Sequence, residues 1–170
     1  AWQAYAVRLN AFGEHLLTTD GSRLAYHHHM GAYVESPADV DKLMALTDPA
    51  NVFLLFDTGH AYFGGAQDPV TLLQKHVKRV AHVHCKDVRA KVIDQARNES
   101  WSFLNGVING TFTVPGDGAL DYEAVLSTLK NAGYEGWLVV EAEQDPAVAP
   151  SYEYAKKGYD TLRAIVDRLG

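Results

Sequence analysis

The sequence predicts an α/β fold on a parallel sheet, specifically half of a (β/α)8 barrel. Three observations carry this. Helical and strand periodicities alternate along the chain, the strands are mostly continuous apolar runs, and the first three start near positions 24, 52 and 80, roughly 28 residues apart. Strands covered on both faces and separated by helices form parallel sheets with helical crossovers. An even repeat suits the equivalent strands of a barrel better than an open sheet, and a whole barrel takes roughly 250 residues. With 170 residues and four strands, the chain reads as the C-terminal half of one barrel domain, residues 1–170. A half-barrel exposes two unpaired sheet edges. Either a first half lies outside this chain, or a second copy supplies the missing strands as a homo-oligomer.

The elements follow in order. Trp2, Tyr5, Ala6, Leu9, Phe12 and Leu16 fall three or four residues apart and predict an amphipathic helix that Asp20-Gly21 ends. That helix includes Ala1, so the visible start is not expected to be a natural translation start. Leu24 to His29 reads as the first strand. Ser36-Pro37-Ala38-Asp39 is a helix start with a hydroxyl cap, proline at the first helical position and an acid closing a capping box. "NVFLLFDTGH" (51–60) is a strand, Asp68-Pro69 opens a helix through Leu72, Leu73 and Val77, and "RVAHVHCKD" (79–87) is the third strand. Residues 88–120 are polar, with one helical piece around 90–104, and so long a connection reads as an active-site loop. Asp121 caps a helix carrying Tyr122, Val125, Leu126 and Leu129, which Asn131-Ala132-Gly133 ends. "GWLVVEAE" (136–143) is the fourth strand, and Ser151 opens a closing helix with Ala155, Tyr159, Leu162, Ile165, Val166 and Leu169 on one stripe.

A net charge of −6 argues against a phosphate-binding surface, so no nucleic-acid partner is expected. No apolar run approaches the ~18 residues of a membrane span, and no signal peptide is expected. The single cysteine, Cys85, rules out an internal disulfide and suits a reducing cytoplasm.

Side chains alternate faces along a strand. Leu24, Tyr26 and His28 therefore share one face and Ala25, His27 and His29 the other. Phe53, Leu55, Asp57 and Gly59 line up, as do Val80, His82, His84 and Lys86, and Trp137, Val139, Glu141 and Glu143. Each strand starts apolar and turns polar at its C-terminal end, where barrels and open α/β sheets build their active sites. Polar groups buried without partners cost several kcal/mol, so these residues are expected to meet one another or a metal. Imidazoles with two or three carboxylates suit Zn2+, Mn2+, Co2+ or Fe2+. Taken singly, a strand-end histidine, the Asp57-Thr58-Gly59 turn, a Glu141/Glu143 pair or the Gly116-Asp117-Gly118 turn has an ordinary structural reading. Four adjacent strands with such residues at the same end favour a metal site.

The segments "YHHHMG", "LLFDTGHAYFGG", "HVHCKDVR", "SFLNGVINGTFTVPGDG" and "GYEGWLVVEAEQDP" closely resemble the inosose dehydratases, within the xylose-isomerase-like barrel superfamily, over essentially the whole chain. The resemblance implies a hydro-lyase of inositol catabolism that dehydrates 2-keto-myo-inositol, a cyclic polyol ketone, to a trihydroxycyclohexane dione. It also implies Mn2+ or Co2+ as cofactor and glutathione as a further requirement. The superfamily takes a Glu, an Asp, a His and a Glu from strands five to eight. Asp57, His84 and Glu141 match by position. The first strand departs from the pattern and offers His27, favoured by its spacing from Gly31, or His29, favoured by its depth, with Glu35 third. Glu143, His60 and His82 are candidates for proton transfer, Lys86 for holding a developing oxyanion, and Arg89 and His60 for binding substrate beneath the 101–118 loop. The runner-up activity is a metal-dependent ketose isomerase or epimerase, which shares the enediolate chemistry. A half-barrel alone is expected to be inactive as a monomer, and a phosphodiester-cleaving role ranks third.

Overall fold

The computed structural model describes residues 1–66 and 68–170. Four strands, β1 (Leu24–His27), β2 (Val52–Asp57), β3 (Val80–Cys85) and β6 (Leu138–Val140), form a parallel sheet in the order β1-β2-β3-β6. A two-stranded antiparallel ribbon, β4 (Asp87–Val88) with β5 (Phe112–Thr113), stands beyond the end of β3. The helices are α1 (Trp2–Asp20), α2 (Pro37–Leu46), α3 (Thr58–Phe63), α4 (Pro69–His76), α5 (Ala90–Asn98), α6 (Phe103–Ile108), α7 (Tyr122–Asn131) and α8 (Ser151–Leu169). Among the described residues no helix is long and apolar enough to cross a membrane.

Local chemistry sets the helix starts and stops. The Ser36 hydroxyl accepts from the Asp39 N–H at 3.2 Å, and the Asp39 carboxylate accepts from the Ser36 N–H at 3.0 Å, completing the expected capping box. Asp68 and Asp121 cap α4 and α7 by accepting from Val70 N–H and Ala124 N–H. Such caps contribute about 1 kcal/mol each. Gly21, at φ 76°, closes α1 with its N–H on the Leu17 carbonyl, a left-handed cap that glycine adopts without penalty.

One face of the sheet packs on the helices. Leu54 and Phe56 of β2 and Val83 and Cys85 of β3 are buried against Val40, Leu43, Leu72, Leu73, Val125, Leu126, Leu162 and Ile165. Burying each large apolar side chain contributes roughly 1.5–3 kcal/mol. The opposite face carries the polar strand ends.

Several expectations need correction. The first strand stops at His27 rather than His29, because Met30-Gly31 turns the chain and the His29 N–H donates back to Val34 O. The second ends at Asp57, whose carboxylate caps α3, so Gly59 and His60 lie on a helix and not on the strand face. Val80 does not share a face with His82: it joins the helix-covered core, because the β2–β3 register slips between Leu54 and Leu55. The fourth strand shrinks to Leu138–Val140, leaving Trp137 exposed and Glu141 and Glu143 on the irregular chain beyond. Segment 88–120 is no open loop but carries α5, α6 and the β4–β5 ribbon. On α1 Phe12 is exposed and Gly13 buried instead, since a Cβ at Gly13 would lie 2.1 Å from Asn51 O. On α8 Tyr159 is exposed, and Gly158, with Leu162 and Ile165, faces the core.

Candidate metal centre and active site

Parity divides the three consecutive histidines. His28 points into the helix-covered side and is fully buried; its Nε2 accepts from the Asp57 N–H at 3.3 Å. Burial pushes its pKa down to about 3, so it is a neutral structural acceptor. His27 and His29 point the other way, and the structure sends them to different partners.

His27 meets Asp57 and His84. Its Nε2 lies 3.5 Å from Asp57 Oδ2, and His84 Nδ1 lies 3.5 Å from the same oxygen. Glu141 Oε2 completes the group, 2.8 Å from His84 Nδ1. His27 Nε2, Asp57 Oδ2, His84 Nδ1 and Glu141 Oε2 are all buried and lack hydrogen-bond partners of acceptable geometry. The His27, Asp57 and His84 atoms lie within 4.8 Å of one another, with Glu141 Oε2 beside His84, a donor set that suits a divalent cation. Spacings of 3.5 Å match the edge of a tetrahedron around an ion bound at about 2.1 Å. Glu35 lies past the first strand, just before α2, and its N–H donates to Asp39 Oδ2 at 3.4 Å.

His29 instead meets His60 and Glu143. Its Nε2 is 3.7 Å from Glu143 Oε1, and His60 Nε2 is 3.2 Å from Glu143 Oε2. The two imidazoles stack with centroids 3.7 Å apart. Phe103 of α6 covers His29 at 4.9 Å, and Phe112 of β5 stands 5.0 Å from His60. The 101–118 segment therefore walls this group with aromatic rings.

Lys86 joins the two groups. Fully buried, its ammonium lies 3.4 Å from Asp57 Oδ2 and 3.1 Å from Glu141 Oε2, donates to Glu143 Oε2, and sits 2.8 Å from His60 Nε2. Three carboxylates face one ammonium, leaving an excess of negative charge that a proton on His84 or a bound dication can balance. His29, His60 and Glu143 also converge within 4.8 Å, but there Glu143 Oε2 already accepts from Lys86, whereas the first group's atoms lack hydrogen-bond partners. The first group is thus the one the chemistry fits to a metal.

The electrostatics follow from this arrangement. Burial raises the Asp57 carboxyl, but His27, His84 and Lys86 outweigh it and hold it well below the usual range. Burial likewise opposes ionisation of Glu141 and Glu143, and their histidine and lysine partners reverse it. The Asp57 and Glu141 carboxylates lift His84 to about 9, and Glu143 raises His29. Burial lowers His60 and His82. Burial also opposes charge on Lys86, yet Asp57, Glu143 and Glu141 raise it. A proton on His84 and a metal compete for the same lone pair.

Backbone geometry marks the same place. Glu143 has φ 47°, a left-handed conformation that costs a non-glycine residue roughly 1–3 kcal/mol and clusters at functional sites. No sequence signal pointed to this backbone conformation.

The remaining candidates lie apart. His82 stacks edge-on against His84 at 5.4 Å and makes no hydrogen bond or ion pair with the cluster among the described residues. Arg89 spends its guanidinium on Gly110 O, Phe112 O, Thr113 Oγ1 and Asp117 Oδ2 at 2.8–3.2 Å. It anchors the β4–β5 ribbon rather than reaching the cluster. Sequence reading missed Thr58, whose hydroxyl donates to Lys86 O at 2.8 Å and accepts from the Lys86 N–H at 3.1 Å, pinning the lysine backbone.

Comparison with known proteins places this geometry. The chain is 48% identical over 162 residues to an inosose dehydratase of Clostridium botulinum, covering 95% of this chain and 54% of that protein. The chain therefore spans about half the length of the curated relatives it matches. Among solved structures it resembles the probable 3-DHS dehydratase AsbF of Bacillus anthracis, with TM-score 0.72 and 16% identity over 95% of this chain and 56% of that one. It also resembles the IOLI protein solved with a binding zinc atom, with TM-score 0.68 and 19% identity over 98% and 56% respectively. The model of the xylose isomerase-like TIM barrel family matches residues 1–165, in keeping with the parallel sheet and its polar strand ends, and the chain belongs to that family.

Proposed function

We propose that the protein carrying this chain is a divalent-metal-dependent hydro-lyase that dehydrates 2-keto-myo-inositol to a trihydroxycyclohexane-1,2-dione in inositol catabolism, with residues 1–170 as the C-terminal half of its barrel. The observation that carries this reading is the convergence of orphaned atoms from His27, Asp57 and His84, with the orphaned Glu141 Oε2 2.8 Å from His84 Nδ1, beside the His29, His60 and Glu143 group. The similarity to inosose dehydratases supports the substrate. A cytoplasmic location accords with the free, buried Cys85.

His27, Asp57, His84 and Glu141 would hold the ion, Mn2+ or Co2+ in this reading. Zinc, the ion of the structurally similar IOLI protein, suits the same donor set. The bound ion supplies a Lewis acid that acidifies the carbon–hydrogen bond beside the ketone. Lys86 holds a fixed positive charge where the oxyanion develops. Glu143 and His60, with His29, stand where a proton is taken and returned. Phe103 and Phe112 exclude water from that side. Cys85 is buried with its pKa raised by burial, so this half of the barrel offers glutathione no exposed thiol.

The test is to incubate the Mn2+-loaded full-length protein with 2-keto-myo-inositol and follow the ultraviolet absorbance of the dione. Appearance of the dione supports the dehydratase. Turnover of a ketose with no dione would replace it with an isomerase or epimerase.

A further inference from the structure

Thr113 is fully buried on β5, where it pairs with Asp87 of β4. Its hydroxyl donates to Asp117 Oδ2 at 2.7 Å and accepts from Arg89 Nη2 and Gln144 Nε2, each at 3.2 Å. A hydroxyl has one proton and two lone pairs, so this one is fully used. The Asp117 carboxylate only accepts and the Arg89 guanidinium only donates, which leaves one lone pair for a second donor. The Gln144 amide therefore turns its NH2 to Thr113, and its buried Oε1 is left without a partner. Asp117 is held in turn by Arg89 at 2.8 Å and by Lys157 of α8. The anchor for Gln144 is thus fixed from two other parts of the fold.

Gln144 directly follows Glu143, whose backbone is left-handed at φ 47°. The Glu141 N–H donates to Cys85 O at 3.4 Å, but beyond it no backbone–backbone hydrogen bond holds residues 142–144 among the described residues. A non-glycine residue keeps such a conformation only where its surroundings over-determine it. From one side Glu143 is held by its own carboxylate, which accepts from Lys86 and faces His60 and His29. From the other it is held through the hydrogen bond between Gln144 and Thr113. We propose that Thr113 is a positioning residue for Glu143: anchored by Asp117 and Arg89, it pins Gln144 and so keeps the Glu143 backbone left-handed and its carboxylate on Lys86. Its weight in catalysis rests on the dehydration reading above, in which Glu143 stands where a proton is moved. The β4–β5 ribbon and the Gly116-Asp117-Gly118 turn thereby shape the site without touching substrate.

The test uses the full-length protein and two readouts. Thr113→Val keeps the side-chain shape but has no hydroxyl. In its crystal structure, beside that of wild type, Glu143 is expected to leave the left-handed region and its carboxylate to part from Lys86. An unchanged φ with the Lys86 contact kept overturns the proposal. The second readout is turnover of 2-keto-myo-inositol. For Thr113→Val, kcat is expected to fall at least ~10-fold while KM stays within a few-fold, the signature of a misplaced group that acts in the chemical step. Thr113→Ser restores the hydroxyl and is expected to bring kcat back to within a few-fold of wild type. Unchanged kcat in Thr113→Val, or an equal loss in Thr113→Ser, also overturns the proposal. If Thr113→Val does not fold, Gln144→Met leaves Thr113 its ties to Asp117 and Arg89 and carries both readouts with the same expectations. Wild type that does not dehydrate the ketone sinks the dehydration reading instead, and the crystal structures then decide the positioning role without it.

Discussion

Gly59 and Lys86 fit against each other so closely that only glycine fits at 59. A Cβ built there would lie 2.7 Å from Lys86 Cγ and 2.9 Å from Cδ. The lysine stem lies over the first turn of α3, and that position carries its ammonium to the three carboxylates. Gly59→Ala is therefore expected to displace Lys86 and lose roughly 1–3 kcal/mol of stability as an overpacked site. Thermal denaturation and kcat would both register it. An unchanged melting temperature with full activity would mean the stem is free to move.

The two inward histidines separate in a binding experiment. His27→Gln is expected to weaken Mn2+ binding by at least ~10-fold, on the scale of losing a ligand or its support. His29→Gln should leave affinity within a few-fold. Calorimetric titration with Mn2+ measures both, and the reverse ranking would move the metal to His29.

Asp57→Asn should also remove the metal, with a further cost of its own. The carboxylate caps α3 through the His60 N–H at 2.8 Å and faces Lys86. Truncating a buried partner of a charged group costs about 3–5 kcal/mol when the other charge is left unpaired. Chemical denaturation of the metal-free protein isolates that cost, and a midpoint equal to wild type would argue against it.

His28 makes stability pH-dependent on the acid side. Burial holds its pKa at about 3 against an ordinary 6.5. Between those values the unfolded chain binds a proton that the folded chain does not. Stability from this group is complete above about pH 6.5 and is lost as pH falls towards 3. One proton contributes a slope of about 1.4 kcal/mol per pH unit. His28→Gln, which leaves an amide oxygen for the Asp57 N–H, should reduce the acid-side slope by that amount in denaturation measured at stepped pH.

Arg89 is expected to act through order rather than through substrate contact. Arg89→Ala removes its ties to Gly110, Phe112, Thr113 and Asp117. Hydrogen exchange across residues 110–118 should then accelerate. Slow exchange combined with a raised KM alone would restore Arg89 to the substrate.

The sequence by itself determined the alternation of strands and helices, the helix caps and the polar ends of the strands. Each of these is local: a capping box spans four residues, and strand parity needs only a count by two. Parity also showed that His28 faces away from His27 and His29. Tertiary structure decided what crosses between elements. The register slip at Leu54/Leu55 sent Val80 to the core, which no count along β3 reveals. The turn at Met30-Gly31 ended β1 after His27, leaving that ring beside Asp57 and carrying His29 on to Glu143. Lys86 bridges the His27–Asp57–His84 group and the His29–His60–Glu143 group, and its three carboxylate partners come from two other parts of the chain. Charges separated by tens of residues attract only when the fold brings them within a few ångströms, and that distance is set by packing.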